Sequence, residues 1–145
     1  MAVETYQLPV VSNASKMAEL NGAIAVGPPA GAWNGGKAIL YTNQIQPSAQ
    51  TKLADLIQPT AAEIAAYAAL AVTWNAPYES GLNTVEIDAV SVQFKTAAAD
   101  PGCIVYGYGL MDSAGAVLLW SENFPAPVQL GPGLDAITLV VGQTR

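Results

Sequence analysis

Through most of residues 85–141 the chain sets apolar against polar side chains with a period of two, and turn residues cut the pattern at short intervals. A period of two belongs to strands with one buried face, and it suits a β architecture better than a helix bundle. Val85 to Thr96 predicts a strand with Val90, Val92 and Phe94 on one face. Ile104, Tyr106, Tyr108 and Leu110 predict a second strand carrying those four side chains on a common face. Met111-Asp112-Ser113-Ala114-Gly115 has the chemistry of a turn, and Val117-Leu118-Leu119-Trp120 returns from it, which predicts a hairpin. Phe124-Pro125-Ala126-Pro127 is expected to break the pairing, and Ala136 to Val141 supplies a last strand. Val117–Trp120 and Ile137–Val141 are less strictly alternating, as expected of strands covered on both faces. Thirteen Gly and ten Pro in 145 residues suit a loop-rich β architecture. The predicted fold class is mainly β: an antiparallel β-sandwich with an extended N-terminal arm and at most one or two short helices.

The chain divides near residue 37, into an arm over 1–36 and a sandwich body over 37–145. The arm is irregular and rich in small residues. One short helix is predicted at Ser12–Leu20, where Ser12 can cap the start, Met17 and Leu20 share a face and Gly22 can end it. Val10, Val11, Ile24, Val26 and Trp33 are costly to leave in water, so they are the candidate interface residues, docking on a neighbour or on the body. In the body, Lys37–Thr42 predicts the first strand, and 47–56 a connecting loop with a single helical turn. Residues 60–74 carry two signals. Thr60-Ala61-Ala62-Glu63 has the form of a capping box, whereas Ile64, Ala66, Ala68, Leu70, Val72 and Trp74 alternate as a strand would. A strand is predicted for the later part, and 60–69 is left open between helix and strand.

Composition narrows function. Charged residues make up 11% of the chain and hydrophobic ones 52%. A soluble domain usually carries about a quarter charged residues. So little charge clothes a lone globule poorly, which implies that other protein covers much of the surface. A net charge of −6, with Lys16, Lys37, Lys52 and Lys95 scattered, argues against nucleic acid or an anionic membrane as partner. There is no histidine and one cysteine, which removes the commonest acid–base group and most metal-site chemistry. The reading is therefore a protein that is not an enzyme and takes no cofactor or metal. Cys103, inside Cys103-Ile104-Val105, is read as a small buried hydrophobe, consistent with synthesis in a reducing cytoplasm. Met1–Tyr6 does not read as a signal peptide, and the Ala-rich stretch from Ala61 to Val72 is too short to span a bilayer and contains Glu63.

Several strings imitate functional motifs. Gly31-Ala32-Trp33-Asn34-Gly35-Gly36-Lys37-Ala38 matches seven positions of a phosphate-binding loop, but Ala38 stands where a magnesium-binding hydroxyl belongs. The string also opens a strand where such a loop opens a helix, so it reads as a flexible entry loop. Glu86 and Asp88, two apart on one strand, have no third oxygen ligand nearby in sequence and read as a solvated face. Ser and Thr nucleophiles lack a histidine base. Asn13-Ala14-Ser15 has the form of a glycosylation sequon, read as chance. Tyr106 and Tyr108, with Trp120 on the returning strand, are able to stack on a sugar or a base, but core or subunit packing is the favoured reading.

Taken in order, Leu40-Tyr41-Thr42-Asn43, Leu53-Ala54-Asp55-Leu56, Tyr67-Ala68-Ala69 through Thr73-Trp74, Val105-Tyr106-Gly107-Tyr108 with Asp112-Ser113-Ala114-Gly115, and Leu118-Leu119-Trp120-Ser121-Glu122-Asn123-Phe124 form a pattern. It resembles small structural proteins encoded in tailed-bacteriophage genomes, whose role is virion structure, including capsid decoration (cement). The resemblance spans roughly residues 39–128 and leaves out the arm. It is a pattern of strand and turn residues, and it carries no functional residues over. It implies a decoration protein made in the host cytoplasm and placed on the capsid exterior, with the major capsid protein and copies of itself as partners. A trimer is expected from the general habit of head decorations. A tail, fibre or baseplate component and a carbohydrate-binding sandwich are the alternatives.

Overall fold

The computed structural model describes residues 6–7, 36–48, 50–73, 78–81 and 84–144, with backbone only for 6–7, 78–81, 84–88 and 142–144. The described chain forms eight strands: β1 (Tyr6–Gln7), β2 (Gly36–Tyr41), β3 (Leu70–Val72), β4 (Tyr78–Gly81), β5 (Thr84–Lys95), β6 (Cys103–Met111), β7 (Leu118–Leu130) and β8 (Ala136–Thr144). They make two four-stranded sheets, ordered β1-β8-β5-β4 and β3-β2-β6-β7. Pairing is antiparallel except where β1 joins β8 in parallel, Tyr6 opposite Gln143. The fold is thus mainly β, as the alternation predicts. β4 is too short and polar to show a period.

The main core lies between the sheets. Ala38, Leu40, Val72, Val105 and Leu110 come from one, and Phe94, Ile137, Leu139 and Val141 from the other. Val90 and Val92 pack with Phe94 against this core, on the face their spacing predicts. β2 is apolar on both sides, and the reason is local. Ala38 and Leu40 face the core, while Ile39 and Tyr41 face a second cluster with Leu56 and Met111. The segment 42–58 folds over that outer face and lays Ile45 and Leu53 on the cluster. Asn43 closes the segment. Its Nδ2 donates to the carbonyl of Asp55 (2.8 Å), and its Oδ1 accepts from the amide of Ile57 (2.8 Å). The predicted helical turn is a single 3-10 turn at Leu53–Asp55. The doubly apolar strand is therefore covered by its own chain.

Residues 60–69 are neither helix nor strand. Half of the capping box forms: the Thr60 amide donates to Glu63 Oε2 (2.8 Å), but the Thr60 hydroxyl donates to the same oxygen (3.1 Å), and the Ile64 amide donates to the Thr60 carbonyl (2.9 Å). The next amide, on Ala65, donates instead to Asp100 Oδ1 (3.1 Å), so the helix stops after one turn. β3 follows at Leu70, where the strand was predicted.

β6 departs from its predicted alternation. Cys103 and Val105 face the core, and so do Tyr108 and Leu110, whereas Ile104 is 47% exposed and Tyr106 packs on the outer cluster. Ile104, Tyr106, Tyr108 and Leu110 therefore do not share a face. The cause lies on the partner strand. Val105 pairs with Val128 and Gly107 with Asn123, so β7 spends three more residues than β6 over this interval. The surplus falls at Phe124-Pro125-Ala126-Pro127. Pairing lapses there as predicted, but the strand does not end: Val128–Leu130 pairs again with Cys103–Val105.

Candidate binding cleft on the outer face

The outer face of the second sheet is shaped by two features, the overlying 42–58 segment and the surplus residues of β7. Between them lies a cleft of about 370 Å3, lined by Gln44, Ile45, Gln46, Tyr106, Asn123, Phe124 and Pro127. Tyr106 faces outward in phase with Ile104, and β6 changes face between Tyr106 and Tyr108. Tyr106 is half-buried and Gln44 and Gln46 are exposed.

Asn123 is held from two sides. Its Oδ1 accepts a hydrogen bond from the Tyr41 hydroxyl (2.6 Å), and its Nδ2 donates to the carbonyl of Ile45 (2.8 Å). The Tyr41 ring reaches Asn123 by crossing Gly107. A Cβ at position 107 would run into the carbonyl oxygen of Glu122 and the Tyr41 ring, so glycine is required for the crossing. Burial, with the nearby charge of Glu122, pushes the Tyr41 hydroxyl pKa far above the usual phenol range, so it stays a donor.

The lining carries no charged side chain. Its three carboxamides can each donate and accept, and Tyr106 adds an aromatic ring. The arrangement suits an uncharged polar ligand and offers no acid, base or nucleophile. Two further depressions exist. One of about 400 Å3 lies beside Ser48, Thr51, Leu118 and Trp120, and one of about 230 Å3 is lined in part by Tyr67 and Phe94, whose rings stack at 5.9 Å.

At one end of the sandwich three loops are tied together by Asp100, which is 5% exposed. Its carboxylate accepts from the amides of Ala65 (3.1 Å) and Ala97 (2.8 Å), and its carbonyl accepts from Gly133 (3.3 Å). Thr96 donates to the Gly133 carbonyl and accepts from the amide of Asp135 (2.9 Å). The loop so braced presents Leu134, 82% exposed. Ile57, Ile104 and Val117 are the other large apolar side chains about half exposed or more among the described residues.

The residues singled out from sequence fare differently. Val10, Val11, Ile24, Val26 and Trp33 lie outside the described residues, as do the Ser12–Leu20 helix, the Asn13 sequon and Trp74. Of the phosphate-loop look-alike, Gly36, Lys37 and Ala38 are described. They open β2, with Lys37 opposite Met111 and Ala71. Glu86 and Asp88 lie on β5, with backbone alone described. Cys103 is buried, and burial pushes its thiol up to about 11, as a small hydrophobe requires. Tyr106 and Tyr108 are separated by the register shift: Tyr108 is 1% exposed, donates to Glu122 Oε2 (3.0 Å) and stacks on Phe124. Trp120 packs partly buried against the main core. Among the described residues no group of three or more His, Cys, Asp or Glu is arranged to hold a metal ion, and no helix is long and apolar enough to cross a membrane.

Sequence reasoning missed Gln44, Gln46 and Asn123 as a group. The one available signal was the proline pair at 125 and 127, which marks where a strand must leave its partner. No family profile, curated protein or solved structure matches this chain.

Proposed function

We propose that this chain is a virion structural protein of a tailed bacteriophage, a capsid decoration protein that binds the head exterior and copies of itself. It is made in the host cytoplasm and acts by association alone, without catalysis or a cofactor. The observation that carries the reading is the surface: a chain with so few charges presents Leu134, Ile57, Ile104 and Val117 to solvent, Leu134 on a loop braced by buried hydrogen bonds. A rigid apolar projection loses little conformational entropy when a neighbour covers it, and each Å2 covered contributes about 25 cal/mol. The resemblance adds to this, since its residues Tyr41, Asn43, Asp55 and Asn123 take part in the bonds that hold the outer face together. Val10, Val11, Ile24, Val26 and Trp33 are assigned to the docking arm by sequence.

Purified protein is to be added to heads of the encoding phage that lack it, and occupancy measured by mass spectrometry of the re-isolated heads. Light scattering after size-exclusion chromatography gives its oligomeric state. Saturable, many-copy occupancy and a self-associating protein are expected. A monomer at high concentration that leaves heads bare would overturn the reading, and a few copies confined to tails would move it to the tail.

A further inference from the structure

The outer-face cleft has a chemistry that head binding does not use. We propose that it is a subsite for a neutral sugar residue, with Tyr106 as the stacking platform and Gln44, Gln46 and Asn123 as hydrogen-bonding partners of the hydroxyls. The proposal is independent of the capsid reading.

Four observations converge on it. Its volume, about 370 Å3, falls in the range of small-ligand sites. The lining is an aromatic ring with three carboxamides and no charge. A sugar hydroxyl both donates and accepts, and so does a carboxamide, while the C–H face of a pyranose packs on an aromatic ring. Asn123 is pre-organised: the Tyr41 hydroxyl and the Ile45 carbonyl fix which way its amide points. Among the described residues this leaves one N–H and one lone pair of Asn123 for a ligand. Finally, the surplus residues of β7 set Pro127 in the cleft wall with the outward-facing Tyr106. Register irregularities of this kind are over-represented next to functional sites.

Other ligand classes fit less well. Nucleic acid and acidic groups need cations, and the lining has none. An added peptide strand needs a row of backbone donors, and β7 carries Pro125 and Pro127 at this stretch of its edge.

The test titrates the full chain with maltotetraose, cellotetraose, xylotetraose and N-acetylchitotetraose, followed by NMR chemical shifts, with a tetrasaccharide of galacturonate as the charged comparison. Saturable binding of at least one neutral probe is expected. It should weaken roughly tenfold in Tyr106→Ala and in Gln46→Ala, and persist in Tyr106→Phe, which keeps the ring. Gln46 is exposed, so its variant decides the matter should Tyr106→Ala fail to fold. The proposal is overturned by no neutral binding at millimolar sugar, by binding indifferent to Gln46→Ala, or by equal binding of the charged probe. None of these results bears on occupancy of heads.

Discussion

The Tyr41 hydroxyl donates a 2.6 Å hydrogen bond to Oδ1 of Asn123, joining β2 to β7 across the intervening strand β6. The bond is open to a two-part test. Tyr41→Phe removes the donor and leaves the amide oxygen short of a partner, which should cost about 1–2 kcal/mol. Gly107→Ala should cost about 2–3 kcal/mol, because the new methyl meets the Glu122 carbonyl, and backbone cannot swing aside as a side chain can. Urea denaturation should show both as shifted midpoints with unchanged slopes. An alanine at 107 that leaves stability untouched would mean the ring does not cross there.

Asp100 should be the costliest single carboxylate to lose. Its side chain, itself 5% exposed, satisfies the amides of Ala65 and Ala97, which lose both of these bonds if it goes. Asp100→Ala is expected to lower stability by roughly 2–4 kcal/mol. Hydrogen exchange should rise first at Ala65 and Ala97. Uniform protection loss across the sandwich, with no local rise, would contradict the keystone role.

Acid should loosen the hairpin between β6 and β7. The amides of Val117 and Ala116 hold the Asp112 carboxyl below its ordinary range, and those of Ala136 and Gly131 do the same for Asp135. A depressed carboxylate pKa contributes stability that is present above the unfolded value, about 4, and is lost as pH falls through the folded value. The melting temperature should therefore drop below about pH 4. Asp112→Asn should lower it at neutral pH, and the gap from the parent should close on acidification. A gap constant with pH would rule out this linkage.

Cys103 should be silent to thiol reagents in the folded protein. Burial raises its thiol to about 11, so little thiolate exists near neutrality, and the side chain is enclosed besides. Alkylation should follow global unfolding, accelerating with denaturant along the same curve as tryptophan fluorescence. Labelling in native buffer at the rate of a free cysteine would show that this end of β6 opens locally.

The sequence revealed the strands because a period of two is written into side chains one after another: Val90, Val92 and Phe94 could be assigned to the core without knowing their partners. The change of face between Tyr106 and Tyr108 could not. It depends on three surplus residues of β7 nearly twenty positions away, and a mismatch between two strands has no signature within either one. The proline pair marked the break but not its consequence. The cleft was illegible for a related reason: Gln44, Gln46 and Asn123 meet only after segment 42–58 folds over the sheet. Asp100, in Ala97-Ala98-Ala99-Asp100-Pro101, looks like an ordinary loop residue, and two of its three partners, Ala65 and Gly133, lie in separate stretches of chain.

The lapse of pairing in β7 also bears on how such a chain stays dispersed. Among the described residues β7 is the outermost strand of its sheet, and an outer strand with free donors invites another copy to zip on, chain after chain, into fibrils. Lysines along the edge are one common deterrent, but this chain has four lysines in all. Pro125 and Pro127, exposed at mid-edge, offer no N–H at those two points and interrupt any continuous ladder. Replacing both with threonine would mend the ladder, and the same molecule would become a candidate for amyloid.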